Sequence, residues 1–150
     1  MNEQFTWLHI GLGSFHRAHQ AWYLHRLQVM GDKRWSIAAG NIRNDAEHVV
    51  QALSAQKGRY VLETVSPEGV SEYEEITSIQ KLIPWQADLQ PLIAEGADPK
   101  TKVIAFTVTE GGYYLNTSHK LEVNNPDLAA DLKGGCKTIY GVITLSLIHI

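Results

Sequence analysis

The chain has 150 residues, 44% hydrophobic and 19% charged, with a formal net charge of −3. Such a balance is that of an ordinary globular domain and excludes bulk attraction to nucleic acid or to an anionic membrane surface. A single cysteine, Cys136, excludes an internal disulfide and a cysteine-rich zinc site.

Residues 5–10 (FTWLHI) form a short apolar run that stops at Gly11, which predicts a buried first strand. Residues 15–30 contain neither proline nor glycine, and Ala18, Ala21, Leu24 and Leu27 recur at helical spacing. Ser14 stands at the expected cap of that helix and Gly31 at its end. Residues 35–39 (WSIAA) predict a second strand, ending at Gly40-Asn41. A second helix follows over 45–55, with Val49, Val50 and Leu53 inward, Asn44 or Asp45 as cap and Lys57-Gly58 as its close. Residues 59–65 read as a strand, Pro67-Glu68-Gly69 as a turn, and 71–82 as a further strand region. The acidic start of that region (Glu72, Glu74, Glu75) reads as a solvated edge rather than a metal site. Residues 86–95 predict a short helix. Residues 102–108 (KVIAFTV) are nearly all apolar and predict a strand inside a parallel sheet covered on both faces. Asn125-Pro126 opens a helix over 125–132, Gly134-Gly135 breaks it, and another begins at Lys137. Alternation of this kind, without an internal repeat, gives an α/β class with a doubly wound, mostly parallel sheet.

No window approaches the roughly 18 apolar residues of a membrane span. The N-terminus carries no basic, apolar leader, so the expected location is the cytoplasm.

The stretch 9-HIGLGSFHRAHQ-20 joins the first strand to the first helix through Gly11-x-Gly13. A strand, a tight glycine turn and a helix start, in that order, are what a pyrophosphate needs. Gly11 permits the turn, Gly13 lets the ligand approach the backbone, and the N–H groups near Ser14 and Phe15 favour negative charge. A third glycine would fall at His16, so the helix is expected to sit further out or rotate. Arg17 offers either a bidentate partner for a phosphate or a surface ion pair. His16 and His19 fall at helical spacing, but nothing completes a zinc set, so no metal is expected. Asn41 occupies the end of the second strand, where a ribose-binding acid is usual. Asp45, further along, either holds the ribose hydroxyls or caps the second helix. Arg43 beside it suits a 2′-phosphate, and NAD stands ahead of NADP. In 107-TVTEGGYY-114, Thr107, Thr109 and Glu110 follow a strand, where a nicotinamide ring is expected. A buried Glu110 has the means to carry a proton, since burial raises a carboxyl pKa.

GLGSFHRAHQAWYLHRL followed by TVTEGGYY resembles the polyol-specific long-chain dehydrogenases, the mannitol dehydrogenase family, over about residues 2–140. The resemblance implies a Rossmann-type NAD-binding domain and a helical second domain that carries a catalytic lysine. It implies NAD as cofactor, a small-molecule polyol as substrate, and oxidation of D-arabinitol to D-xylulose without zinc. It sets Gly11, Gly13, Phe15, His16 and Arg17 at the pyrophosphate, Asp45 at the acidic position after the second strand, and Glu110 near the active-site channel. It further implies that residues 1–144 are a partial nucleotide-binding domain with an incomplete sheet and that the catalytic domain is absent. Lys81, Lys102 and Lys120 do not match the family lysine. The tail 145–150 (LSLIHI) is unlike the family and reads as foreign. The chain alone is expected to bind NAD weakly and turn over no polyol. A non-enzymatic dinucleotide-binding module and a sugar-phosphate dehydrogenase of the same family are the alternatives.

Overall fold

The computed structural model of the chain describes residues 3–148. Four strands form one parallel sheet: β1 (Phe5–Ile10), β2 (Trp35–Gly40), β5 (Ile79–Ile83) and β6 (Thr101–Phe106), in the order β5-β2-β1-β6. Between the second and third of these the chain inserts an antiparallel hairpin, β3 (Tyr60–Val65) and β4 (Ser71–Ile76), turning at Gly69. The sheet grows outward on one side of β1 and then crosses to β6 on the other. This reversal is the topological switch point of a doubly wound fold, and ligands bind in the crevice outside the strand ends there.

Alternation along the strands builds two cores. Leu8, Ile10 and Ala38 face α4 (Gln90–Ala97) and α6 (Ile139–Leu147), packing with Leu92, Ile139 and Val142. Ile37, Ala39 and Ile79 face the opposite side, packing with Ala21 and Leu24 of α2 (Gln20–Val29) and with Val50 and Leu53 of α3 (Glu47–Ala55). A period of two therefore sorts one strand's side chains between two helical layers, each buried. No helix among the described residues is long and apolar enough to cross a membrane.

Several elements differ from expectation. The first helix is two, α1 (Ser14–Ala18) and α2, divided at His19, whose φ of −119° and ψ of −78° are off the helical values. The spacing from Ala18 to Ala21 runs across His19 unbroken, so periodicity did not register the break. Leu27 is exposed rather than inward. The region 71–82 is two strands in different sheets, because Ile76, Ser78 and Ile79 turn the chain from the hairpin into the core. The helix expected over 86–95 starts later, with Pro91 in its first turn. KVIAFTV does join a parallel sheet, but β6 pairs only with β1 and leaves Val103 38% exposed at the edge. An apolar run reports the burial of side chains, not the number of neighbouring strands. Helix α5 (Pro126–Asp131) is capped by the Asn125 side chain as its Asn-Pro start suggests. Helix α6 runs through residues 145–147 of the tail; Ser146 is buried and donates to the Val142 carbonyl at 2.8 Å, while residues 149–150 lie outside the described chain.

The acidic hairpin start is not simply solvated. Glu74 accepts the Trp22 indole N–H at 2.7 Å and an Arg26 N–H at 3.2 Å, tying β4 to α2. Those donors, Trp22 first, hold its carboxyl below the usual glutamate range. We expect Trp22→Phe, which keeps the ring and removes the donor, to destabilise the chain by about 1 kcal/mol in urea unfolding. An unchanged midpoint would show that the hairpin is not anchored there.

Candidate nucleotide crevice

At the switch point lies an open crevice of about 320 Å³. Its walls come from the end of β1 (Ile10, Gly11), the loop after β2 (Asn41, Arg43, Asp45) and the segment after β6 (Thr107, Thr109). Gly111 and Gly112 of the following 3-10 turn (Glu110–Tyr113) close one side.

Gly11 extends the β1–β2 ladder, donating its N–H to the Gly40 carbonyl at 2.8 Å. Its φ is +112°, and a Cβ there would meet the Thr107 carbonyl oxygen at 2.7 Å. The turn thus needs glycine both for its dihedral and for the approach of β1 to the end of β6. Gly13 differs: its φ of −81° is open to any residue, and a Cβ there would meet no protein atom within 4 Å. Nothing in the fold requires glycine at 13.

The helix start that follows is bare. Gly13 is the N-cap, and Ser14 is the first helical residue, exposed, with no side chain capping the helix. The first helical hydrogen bond runs from the Arg17 N–H to the Gly13 carbonyl at 3.2 Å, so the amides of Ser14 and Phe15 stand at an open helix end. The cap expected of Ser14 is therefore not formed. The helix is also short, five residues, so its dipole adds little. Phe15 is 62% exposed and stacks on His19, ring centroids 4.5 Å apart.

His16 explains how the chain manages without a third glycine. Its ring is fully buried and lies flat on that of His9, with centroids 3.6 Å apart and an interplanar angle of 9°. Two planar rings fill the space between β1 and α1, where the glycine would have allowed contact of backbones. Gln20 Oε1 lies 2.8 Å from His16 Nδ1, and Thr107 Oγ1 lies 3.2 Å from His9 Nε2. Thr107 Oγ1 in turn donates to the Gly11 carbonyl at 3.3 Å. Sequence reading missed His9, although a polar residue within an otherwise apolar strand was the available signal. His16 turns into the core, away from the crevice walls. Among the described residues no group of three metal-ligating side chains forms, and His16 and His19 point to different surroundings.

Among the described residues Arg17 neither lines the crevice nor forms the surface ion pair that was its alternative. Its Cζ lies 5.9 Å from the centroid of the Tyr60 ring, within cation–π reach. The Tyr60 hydroxyl, whose pKa burial raises, donates to the Arg17 carbonyl at 2.6 Å. Asp45 lines the crevice and is exposed; it does not cap α3, whose N-cap is Ala46. Asn44 does not cap it either; only its backbone carbonyl serves, accepting the Glu47 N–H at 3.2 Å. Thr109 precedes the 3-10 turn and lines the crevice. Glu110 begins that turn and is exposed, not the buried carboxyl that a proton carrier at this place was expected to be.

Burial drives His9 down to about 3, with the neighbouring His16 lowering it further. Burial also lowers His16, partly offset by Gln20 and reinforced by Arg17. Both rings are neutral in the fold, while an unfolded histidine takes up its proton near 6.5. Below that pH the unfolded chain binds more protons than the folded one. For His9, stability is therefore full above about pH 6.5 and falls as the pH drops toward 3, by up to about 1.4 kcal/mol per pH unit, and His16 contributes in the same direction. Urea unfolding between pH 7 and 4 should show a shallower decline for His9→Leu than for the parent chain; parallel profiles would contradict the buried neutral stack.

Comparison with known proteins agrees with this geometry. Residues 6–140 match the family description "Mannitol dehydrogenase Rossmann domain". The chain is 82% identical over 143 residues to D-arabinitol 4-dehydrogenase of Klebsiella pneumoniae, a match covering 95% of this chain and 31% of that protein. It is 55% identical over 142 residues to D-arabinitol 4-dehydrogenase of Ralstonia nicotianae, covering 93% of this chain and 30% of that one. Among solved structures, the ternary complex of Pseudomonas fluorescens mannitol 2-dehydrogenase with NAD and D-mannitol superposes with a TM-score of 0.88 at 30% identity, over 99% of this chain and 31% of that one. The chain thus spans about a third of the length of the relatives it matches.

Proposed function

The chain belongs to the mannitol dehydrogenase family, and from that premise we propose that it is the nucleotide-binding part of an NAD-dependent polyol dehydrogenase that oxidises D-arabinitol to D-xylulose. The observation that carries the reading is Gly13. A glycine that the fold does not need, beside one that it does, at an open helix end over the switch point, is accounted for by a ligand that comes up to the backbone.

Bound in the crevice, NAD supplies the hydride acceptor. The residues of this chain bind and orient it. The amides of Ser14 and Phe15 receive the diphosphate, and the side-chain-free surface of Gly13 admits it. Asp45, exposed on the crevice wall and free of any capping duty, takes the adenine ribose hydroxyls. Thr109 and the Gly111-Gly112 backbone line the same crevice, and the proposal gives them the nicotinamide half. Arg17 acts by seating α1 against Tyr60, and His16 by spacing α1 from β1. No proton step is assigned to the exposed Glu110. The relatives are about three times as long, and the proposal gives polyol recognition and removal of the hydroxyl proton to that additional length, with residues 1–144 as the nucleotide-binding unit. A cytoplasmic setting, resting on the single cysteine, belongs to the same reading.

Gly13→Thr tests the proposal. Threonine serves an N-cap about as well as glycine, and the space is open in the protein alone, so unfolding stability is expected to stay within about 0.5 kcal/mol of the parent. NAD affinity, followed by calorimetric titration, is expected to fall at least tenfold (roughly 1.4 kcal/mol). A variant that binds NAD like the parent would remove the main support.

A further inference from the structure

The crevice contains one side chain whose hydrogen bonding is half complete. Asn41 follows the last residue of β2 and lines the crevice with Asp45 and Arg43. Its Oδ1 accepts the N–H of Leu12, the middle residue of the glycine turn, at 2.7 Å. That bond fixes which way the amide points, because a backbone N–H cannot pair with the NH2 end. The Nδ2 is then left as a donor, buried, with no acceptor among the described residues. A buried donor without a partner costs about 1–3 kcal/mol. Buried polar groups are paired in the great majority of cases, and an exception beside a ligand crevice calls for an acceptor from outside the protein.

We propose that Asn41 both holds the glycine turn and binds the dinucleotide. Through Oδ1 it keeps the Leu12 N–H turned inward, which leaves the amides that follow free to face the ligand. Through Nδ2 it donates a hydrogen bond to an oxygen of the bound nucleotide, ribose or phosphate, which is the acceptor the protein itself lacks. This inference rests on the nucleotide reading given above and adds a contact to it. It also accounts for an amide where an acid is usual. A carboxylate at 41 would accept the Leu12 N–H as well as the amide does, but it has no proton to give and repels an anionic oxygen. The neutral amide satisfies the turn on one side and the ligand on the other. Asp45 remains available for the ribose hydroxyls.

Two measurements test this. The first compares Asn41→Asp with the parent chain by NAD titration and by urea unfolding. The isosteric carboxylate preserves the turn's hydrogen bond but puts an unpaired oxygen where Nδ2 is buried, so the unfolding midpoint is expected to fall; with titration kept well below that midpoint, NAD affinity is expected to fall at least tenfold, and equal affinity overturns the proposal. The second needs no variant. In 15N-labelled parent chain, saturation with NAD is expected to shift the Asn41 side-chain amide signals and slow their exchange with water. Signals that stay in place while NAD saturates the backbone amides of the turn overturn the Asn41 contact and leave the nucleotide reading standing. A parent chain that does not take up NAD at all overturns both.

Discussion

The architecture depends on the place where β1 ends beside the end of β6. There Gly11 bends with a φ of +112° and its α-carbon faces the Thr107 carbonyl so closely that a methyl group would stand 2.7 Å from the oxygen. The Thr107 N–H donates to the Ile10 carbonyl at 3.1 Å and the Thr107 hydroxyl to the Gly11 carbonyl at 3.3 Å, locking the two strand ends together. Because the chain reverses its direction of sheet growth at β1, the strand ends part immediately beyond this lock and leave a crevice between their loops. Every crevice residue takes its position from it.

The substitution of His16 for a third glycine changes how that geometry is maintained. A glycine would let helix and strand backbones touch; here a stacked pair of neutral imidazoles holds them apart at a fixed spacing. Aromatic faces in contact at 3.6 Å are a rigid spacer, and His9 Nε2 connects that spacer to Thr107 and so to the strand lock. The arrangement has a cost. His9 Nδ1 and His16 Nε2 are buried without partners among the described residues, and in acid, below about pH 6.5, folding has to displace protons from these rings. Arg17 completes the seating from outside by lying over Tyr60 of the hairpin. The run His16-Arg17 thus also holds a short helix in place, one ring packed beneath it and one guanidinium over Tyr60.

What the sequence made legible follows from the range of the forces involved. β1, β2 and the glycines at 11 and 31 were readable because a short apolar run and a positive φ are local properties. The hairpin turn at Pro67-Glu68-Gly69 and the Asn125 cap were readable for the same reason. The split of the first helix was not, since the three-residue step from Ala18 to Ala21 spans the break without interruption. Nor was the role of Asn41 or His9, because each acts through a partner 29 or 98 residues away. Asp45 and Thr109, each in a segment that follows a strand of the parallel sheet, line the crevice. Phosphate contact by Arg17 was expected from its charge at a helix start and from the family resemblance; its packing over Tyr60 depends on a residue 43 positions away that neither signal reports.

Likeness to D-arabinitol 4-dehydrogenases over nearly the whole of this chain, and over about a third of theirs, sets the scale of the functional statement. On the proposed reading these residues build a nucleotide site, and the polyol chemistry falls to the additional length that the relatives have. The central claim is that the open amides after Gly11 hold a diphosphate. A crystal structure of the chain with NAD tests it most directly. The account predicts the diphosphate within hydrogen-bond distance of the Ser14 and Phe15 amides, passing over Gly13. A dinucleotide bound elsewhere, with those amides turned to solvent, would contradict it.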